Sequence, residues 1–154
     1  MRVVLDTNVI VSGILSTTGA AHAIMDWARR GQFDLVTSVI LLDEVEEVLE
    51  RFVSKALASE TRAALEELAA VVDARVVPRV SRDPDDDHVI AAAVEGLADY
   101  VVTRDGDLIS LGTYHDVVFI APAAFAQVLR AAQRVSQQRP SSARPPPRRR
   151  RGRP

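Results

Sequence analysis

Aspartate and glutamate are spread unevenly along this 154-residue chain, in four groups that sit where strands should end or helices should begin. Asp6 follows the apolar run Val3-Val4-Leu5, and Glu44 lies near the start of a helical pattern. Asp83, Asp85, Asp86 and Asp87 precede the run from Val89 to Val94, and Asp105 and Asp107 follow Tyr100-Val101-Val102-Thr103. In an open α/β sheet, residues at the carboxyl ends of the strands converge on one edge, where ligands bind. Carboxylates gathered there repel one another and cannot all stay ionised unless a cation joins them. A hard divalent ion such as Mg²⁺ takes oxygen ligands, few from protein and the rest from water and phosphate. The pattern points to metal-dependent phosphate chemistry.

The elements that would carry these acids follow from periodicity and punctuation. Residues 2–6 read as a short buried strand, β-branched and ended by Asp-Thr-Asn. Residues 9–15, apolar around Ser12 and Gly13, suit a short helical turn over the sheet edge. Residues 20–30 place Ile24, Trp27 and Ala28 at helical spacing and stop at Gly31. Residues 33–37 form a second strand, and Ser38 suits the N-cap of a helix to about residue 51. Residues 61–72, rich in Ala, Leu and Glu, predict a helix, and Val76-Val77 a short strand before Pro78. A helix over 85–97 begins with Asp, where the dipole favours anions. Strands at 100–103 and 117–120 follow, then a last helix opened by Pro122 and running to about residue 135. Strands alternate with helices throughout, which predicts an α/β fold: three layers, with a mainly parallel sheet of about five strands flanked by helices.

Length and composition suit one domain, over 1–135, with no internal repeat. The hydrophobic fraction of 47% is that of a globular protein. With 0 Cys, disulfides and thiolate metal sites are excluded. No apolar stretch approaches the roughly 20 residues of a membrane helix, and Met1 leads straight into a strand with no room for a signal peptide. A cytoplasmic protein without a membrane partner is expected. Residues 136–154, rich in Arg, Pro and Ser, cannot bury a core and read as a disordered tail. Residues 139–154 hold 7 Arg and no acid, leaving 12 Lys+Arg against 21 Asp+Glu in the body, a net charge of −9. So acidic a body cannot bind nucleic acid by broad electrostatics alone; metal ions in the acidic groups, or the tail, could reverse that locally.

Geometry separates the acids. In the helix from Ser38, Leu41, Val45, Val48 and Phe52 fall within roughly 60° of arc, with Glu44 on the flank about 70° from its centre. Asp43, Glu46, Glu47 and Glu50 lie opposite. Asp86 shares a face with Val89, Ile90 and Ala93, toward the core, whereas Asp85 points away. Asp87, on the other flank, stays open as the alternative to Asp86. Asp105 begins the turn signal Asp105-Gly106-Asp107. Asp6 caps the first strand, where Thr7 and Asn8 can fix its carboxylate. His22, His88 and His115 have no mutual ligand spacing. Ser12 and Ser110 lack a His partner, and the glycines form no phosphate loop.

Taken in order, VVLDTNVIVSGIL, LLDEVEEVL, RDPDDDHVIAAAVEG and DYVVTRDGDLISLG resemble the PIN-domain nucleases over about residues 1 to 130. The closest similarity is to the bacterial and archaeal branch described as toxin components of toxin–antitoxin pairs. The resemblance implies a parallel sheet between helices with an acidic pocket at its carboxyl edge. It also implies one or two Mg²⁺ or Mn²⁺ ions and hydrolysis of RNA phosphodiester bonds. By motif, the four acids fall on Asp6, Glu44, Asp86 and Asp105, with Asp87 and Asp107 as supporting acids. Thr7, Asn8 and Thr103 would orient them. A small antitoxin protein and a homodimer are the implied protein partners. Ile14, Leu15 and Trp27 are candidates for such a surface. The Arg/Pro-rich tail departs from the family and could bind RNA.

Two other Asp-dependent phosphate chemistries fit less well. A haloacid-dehalogenase-type phosphatase needs an Asp two positions after the first, where Asn8 stands. It also needs a strand-end Lys, as does a receiver domain, and the only Lys is Lys55. The alternative reading is a catalytically inactive PIN scaffold that binds RNA or a protein.

Overall fold

The structure is a computed structural model and describes residues 1–138. Along the chain the elements are β1 (Arg2–Leu5), α1 (Thr7–Leu15), α2 (Gly19–Arg29), β2 (Asp34–Ser38), α3 (Val39–Leu49), α4 (Lys55–Leu68) and β3 (Ala70–Val72). They continue with α5 (Pro84–Glu95), β4 (Tyr100–Val102), α6 (Gly106–Ile109), β5 (Thr113–Tyr114), β6 (Val117–Ile120) and α7 (Pro122–Gln137). The sheet order is β3-β2-β1-β4-β6-β5. Every pairing is parallel except β5 with β6, a hairpin. Its two turn residues, His115 and Asp116, take φ of 46° and 65°, the left-handed pair that matches the twist of a tight hairpin.

Strands in the middle of such a sheet are covered on both faces, which is why β1 and β4 read as unbroken apolar runs. On one face Val3, Leu5, Leu35 and Val102 pack with Ile10, Ile24, Val45, Leu65 and Phe125 from five helices. On the other, Val4, Val36, Val101 and Phe119 pack with Leu41, Ile90 and Leu108. The expected alternation and mainly parallel sheet are therefore present, with six strands rather than about five. Gly13 lets α1 cross close to α2: a Cβ there would stand 2.6 Å from the Ala21 carbonyl oxygen.

Several boundaries differ from the sequence expectation. The third strand is Ala70–Val72, not Val76-Val77; it pairs with β2 directly after α4, and Val76 is 84% exposed. The helix expected over 61–72 begins earlier, at Lys55, because Ser54 caps it by accepting from the Leu57 N–H. Residues 7–15 form a full helix capped by Asp6, not a single turn. Phe52 does not extend the α3 stripe: the helix stops at Leu49, which fills the core position, and Phe52 is 64% exposed. The Asp105-Gly106-Asp107 turn opens the short α6. The last helix runs to Gln137, past the boundary expected at residue 135. The tail reading from residue 139 onward lies outside the described residues. Among the described residues no single helix is long and apolar enough to cross a membrane.

Candidate active site at the carboxyl edge

The central pairing of β1 with β4 brings the first and fourth acidic groups side by side. Asp6 ends β1 and is 7% exposed. Its Oδ1 accepts from the Thr7 N–H at 2.8 Å, and its Oδ2 accepts from Asn8 Nδ2 at 3.1 Å and Thr103 Oγ1 at 2.7 Å. Thr103 follows β4 and is fully buried; its Oγ1 also accepts from the Asp105 N–H at 3.0 Å. Asn8 in turn accepts from the Arg104 N–H at 3.3 Å through Oδ1. One hydroxyl and one amide thus tie the ends of two strands together, fixing the Asp6 carboxylate in a single orientation.

Burial pushes the Asp6 carboxyl above its ordinary range; hydrogen bonds from Thr103 and Thr7 oppose the rise, and the charge on Asp105 adds to it. Glu44, half-buried on α3, is also raised, first by burial and then by the charges on Asp6 and Asp85. The Thr7 hydroxyl lies close enough to oppose that rise. The contact falls short of a hydrogen bond, so Thr7 Oγ1 is a buried polar atom without a partner. Asp86, in the first turn of α5, is pushed up to about 6 by burial and by Asp105, with smaller contributions from Asp83 and Asp6 and an opposing bond from Ser81. Asp105 caps α6 and accepts from the Asp107 N–H at 2.8 Å. Carboxylates far apart in the chain thus lie within electrostatic reach of one another at the carboxyl edge.

The neighbouring acids are arranged differently. Asp87 is 4% exposed, and its Oδ1 accepts from the Val80 and Ser81 N–H groups at 3.1 and 2.7 Å. That carboxylate anchors the segment leading into α5. Asp107 is exposed, and no raised carboxyl owes its shift to it. Asp85, expected to point away from the core, is exposed, and with Glu44 it lines a groove of about 430 Å³ between α3 and α5 that Asp43, Glu47, Arg51 and His88 also line. The signal for it was the spacing of three between Asp85 and His88, which puts both on one flank of α5. Of the three apolar candidates for a partner surface, Ile14 and Trp27 pack against the core and Leu15 is 42% exposed.

Among the described residues, Asp6, Glu44, Asp86 and Asp105 form no ion pair. An all-oxygen donor set with uncompensated charge and an unpartnered hydroxyl suits a hard divalent cation. As the side chains stand, no three His, Asp or Glu residues among those described are gathered tightly enough to cage one. The donor chemistry, rather than a ready-made cage, is what fits such an ion.

The PIN domain family model matches residues 2–107. A protein of Methanocaldococcus jannaschii, described only as uncharacterised, is 31% identical over 117 residues, covering 72% of this chain and 75% of its own length. In fold, the chain is similar to one in VapBC2 from Rickettsia felis bound to a DNA fragment from their promoter, with a TM-score of 0.56 at 13% identity over 79% of this chain and 98% of that one. It is also similar to one in FitAcB from Neisseria gonorrhoeae, with a TM-score of 0.51 at 19% identity and the same coverage. The match over most of the chain, on the fold and motifs described, makes this protein a member of the PIN-domain family of nucleases.

Proposed function

We propose that this protein is a metal-dependent endoribonuclease, the toxin of a toxin–antitoxin pair, acting in the cytoplasm on RNA phosphodiester bonds. The observation that carries the reading is the excess of carboxylate at the carboxyl edge, where burial and mutual repulsion raise Asp6, Glu44 and Asp86 and no basic side chain among the described residues pairs with them. Asp6, Glu44, Asp86 and Asp105 would hold Mg²⁺ or Mn²⁺. When bound, such a cation acidifies water and neutralises charge developing on phosphate. Thr103 and Asn8 hold Asp6 in place, and Thr103 also holds the backbone that presents Asp105. Thr7 offers its free hydroxyl toward Glu44. Asp87 serves by anchoring the start of α5, so that Asp86 faces the edge.

The toxin reading follows from the branch resembled and is supported by the fold likeness to chains of VapBC2 and FitAcB. A small antitoxin that lays a basic side chain among these acids would restrain them, and a homodimer is the expected assembly. The absence of a ready cage among the described residues favours a second reading, an inactive scaffold that binds RNA or protein. A mixed RNA pool incubated with Mg²⁺, Mn²⁺ or EDTA, using native protein and Asp6→Asn, separates the two. Cleavage that needs the cation and falls by more than about 100-fold in the variant is expected, since even residues supporting metal ligands are worth 10- to 100-fold. Native-level cleavage by Asp6→Asn would refute the site. No cleavage by the native protein under any cation would favour the scaffold.

A further inference from the structure

One five-residue turn occurs twice at the carboxyl edge. Ser81-Arg82-Asp83-Pro84-Asp85 leads into α5, and Thr103-Arg104-Asp105-Gly106-Asp107 leads from β4 into α6. In each, the hydroxyl reaches one of the site acids: Ser81 Oγ donates to Asp86 at 3.2 Å, and Thr103 Oγ1 to Asp6 at 2.7 Å. Each hydroxyl also accepts from the N–H two residues on, that of Asp83 at 3.4 Å and that of Asp105 at 3.0 Å. Those two aspartates cap their helices, accepting from the N–H groups of Asp85 at 3.0 Å and Asp107 at 2.8 Å.

The second residue of both turns is an arginine. Arg82 and Arg104 are exposed, and neither forms an ion pair among the described residues, although Asp83, Asp85 and Asp86 follow the first and Asp105 and Asp107 the second. The carboxylates next to them are engaged by backbone N–H groups of their own turns. Arg62 shows the other outcome: it is taken up by Asp43, Glu46 and Glu66 between α3 and α4. No other arginine among the described residues adjoins a residue that is hydrogen-bonded to Asp6, Glu44, Asp86 or Asp105. Two free guanidinium groups are thus carried on backbone fixed to the acidic edge.

A nucleic-acid strand brings a negative charge with every phosphate. A cation at the carboxylates serves the phosphate it touches, whereas the phosphates before and after that one meet acids and are repelled. We infer that Arg82 and Arg104 are positioning residues, each holding a phosphate of the strand that adjoins the one at the carboxylates, Arg104 on the β4 side and Arg82 on the α5 side. The planar guanidinium fork suits a phosphate in two-bonded geometry. A strand held by both continues past the acids in two directions, which suits internal cutting. That cutting occurs there rests on the proposed function; the grip on phosphate does not, since an inactive scaffold would use the same contacts.

Fluorescence anisotropy of a labelled single-stranded RNA, and of DNA of the same sequence, against the full chain in EDTA at rising salt tests this. EDTA removes the cation on which cleavage is proposed to depend, so binding is read apart from cutting. Each engaged arginine contributes about −0.7 to the slope of log affinity against log salt. Arg82→Gln and Arg104→Gln should each flatten the slope by about 0.7, and together by about 1.4. Arg82→Lys and Arg104→Lys keep the charge and should keep the native slope, with weaker binding from the lost fork. Arg134→Gln makes the same change of charge near the far end of α7, a helix about 24 Å long that starts beside the edge, and should leave the slope unmoved. Circular dichroism of each variant confirms folding. Equal flattening for RNA and DNA supports phosphate as the group held. A native slope in either Gln variant at the edge, an equal change in Arg134→Gln, an effect confined to RNA, or no measurable binding by the native protein would overturn the inference.

Discussion

The acidic edge is assembled from two regions built on opposite terms. At the ends of β1 and β4, Asp6 is held by three hydrogen bonds from Thr7, Asn8 and Thr103, and its orientation is settled by the protein alone. At the start of α5, Asp86 has one bond, from Ser81 at 3.2 Å, and is pushed up to about 6 by burial and by Asp105. Its neighbour Asp87 takes the backbone bonds instead. A carboxylate fixed in advance suits a first contact that must be in place before anything arrives. A carboxylate that is repelled and weakly tethered moves at low cost to meet an incoming charge. Among the described residues the acids are accordingly held unequally, one by three hydrogen bonds and the other by one.

The comparison can be broken from the rigid side first. Thr103→Val keeps the shape and removes the hydroxyl linking Asp6 to the Asp105 backbone; RNA cleavage should fall by about 10- to 100-fold. An unchanged rate would show that Asp6 needs no such support. Next, Asp87→Ala leaves two backbone N–H groups without an acceptor and should cost about 2–3 kcal/mol in a urea titration. A smaller loss, within experimental error of zero, would mean the start of α5 is not anchored there. On the weakly tethered side, Mg²⁺ at 100 times its dissociation constant should stabilise the native fold by about 2.7 kcal/mol, and Asp6→Asn much less. Equal shifts in both proteins would place the ion elsewhere.

The smallest effect concerns pH. The folded state holds a proton on Asp86 more tightly than the unfolded chain does, with a pKa near 6 against an ordinary 3.8. That contribution favours folding below about pH 4 and is lost as pH rises through 6. Asp86→Asn should therefore melt slightly higher than native protein at pH 7 without divalent ions. The difference should vanish below pH 4. A variant less stable than native at pH 7 would mean that Asp86 is not repelled.

What could be read from the sequence followed from local rules. Alternating strands and helices dictated a parallel sheet, and Ser38, Gly31 and Pro122 marked their helix ends because capping is a matter of neighbouring residues. The boundaries of α4 and β3 were missed because Ser54 carries no acidic partner three residues later, and because the strand is chosen by what β2 leaves unpaired. The placement of Asp6, Thr7, Asn8 and Thr103 was foreseeable in kind, whereas the bond between Thr103 and Asp6 depends on a strand pairing 97 residues apart. Asp85 does point away from the core, but a helical stripe referred to the core alone does not reveal that the groove beside Glu44 runs along that flank.

The adjacency of β1 and β4 has a temporal side. A ribosome delivers the first strand early, yet its partner and Thr103 arrive about a hundred residues later, and pairings between such distant segments form slowly. Until then Asp6 has neither its β4 neighbour nor the hydroxyl that steadies it. A chain still being synthesised therefore carries its acidic edge in an unassembled state, completed only when β4 and Thr103 have followed.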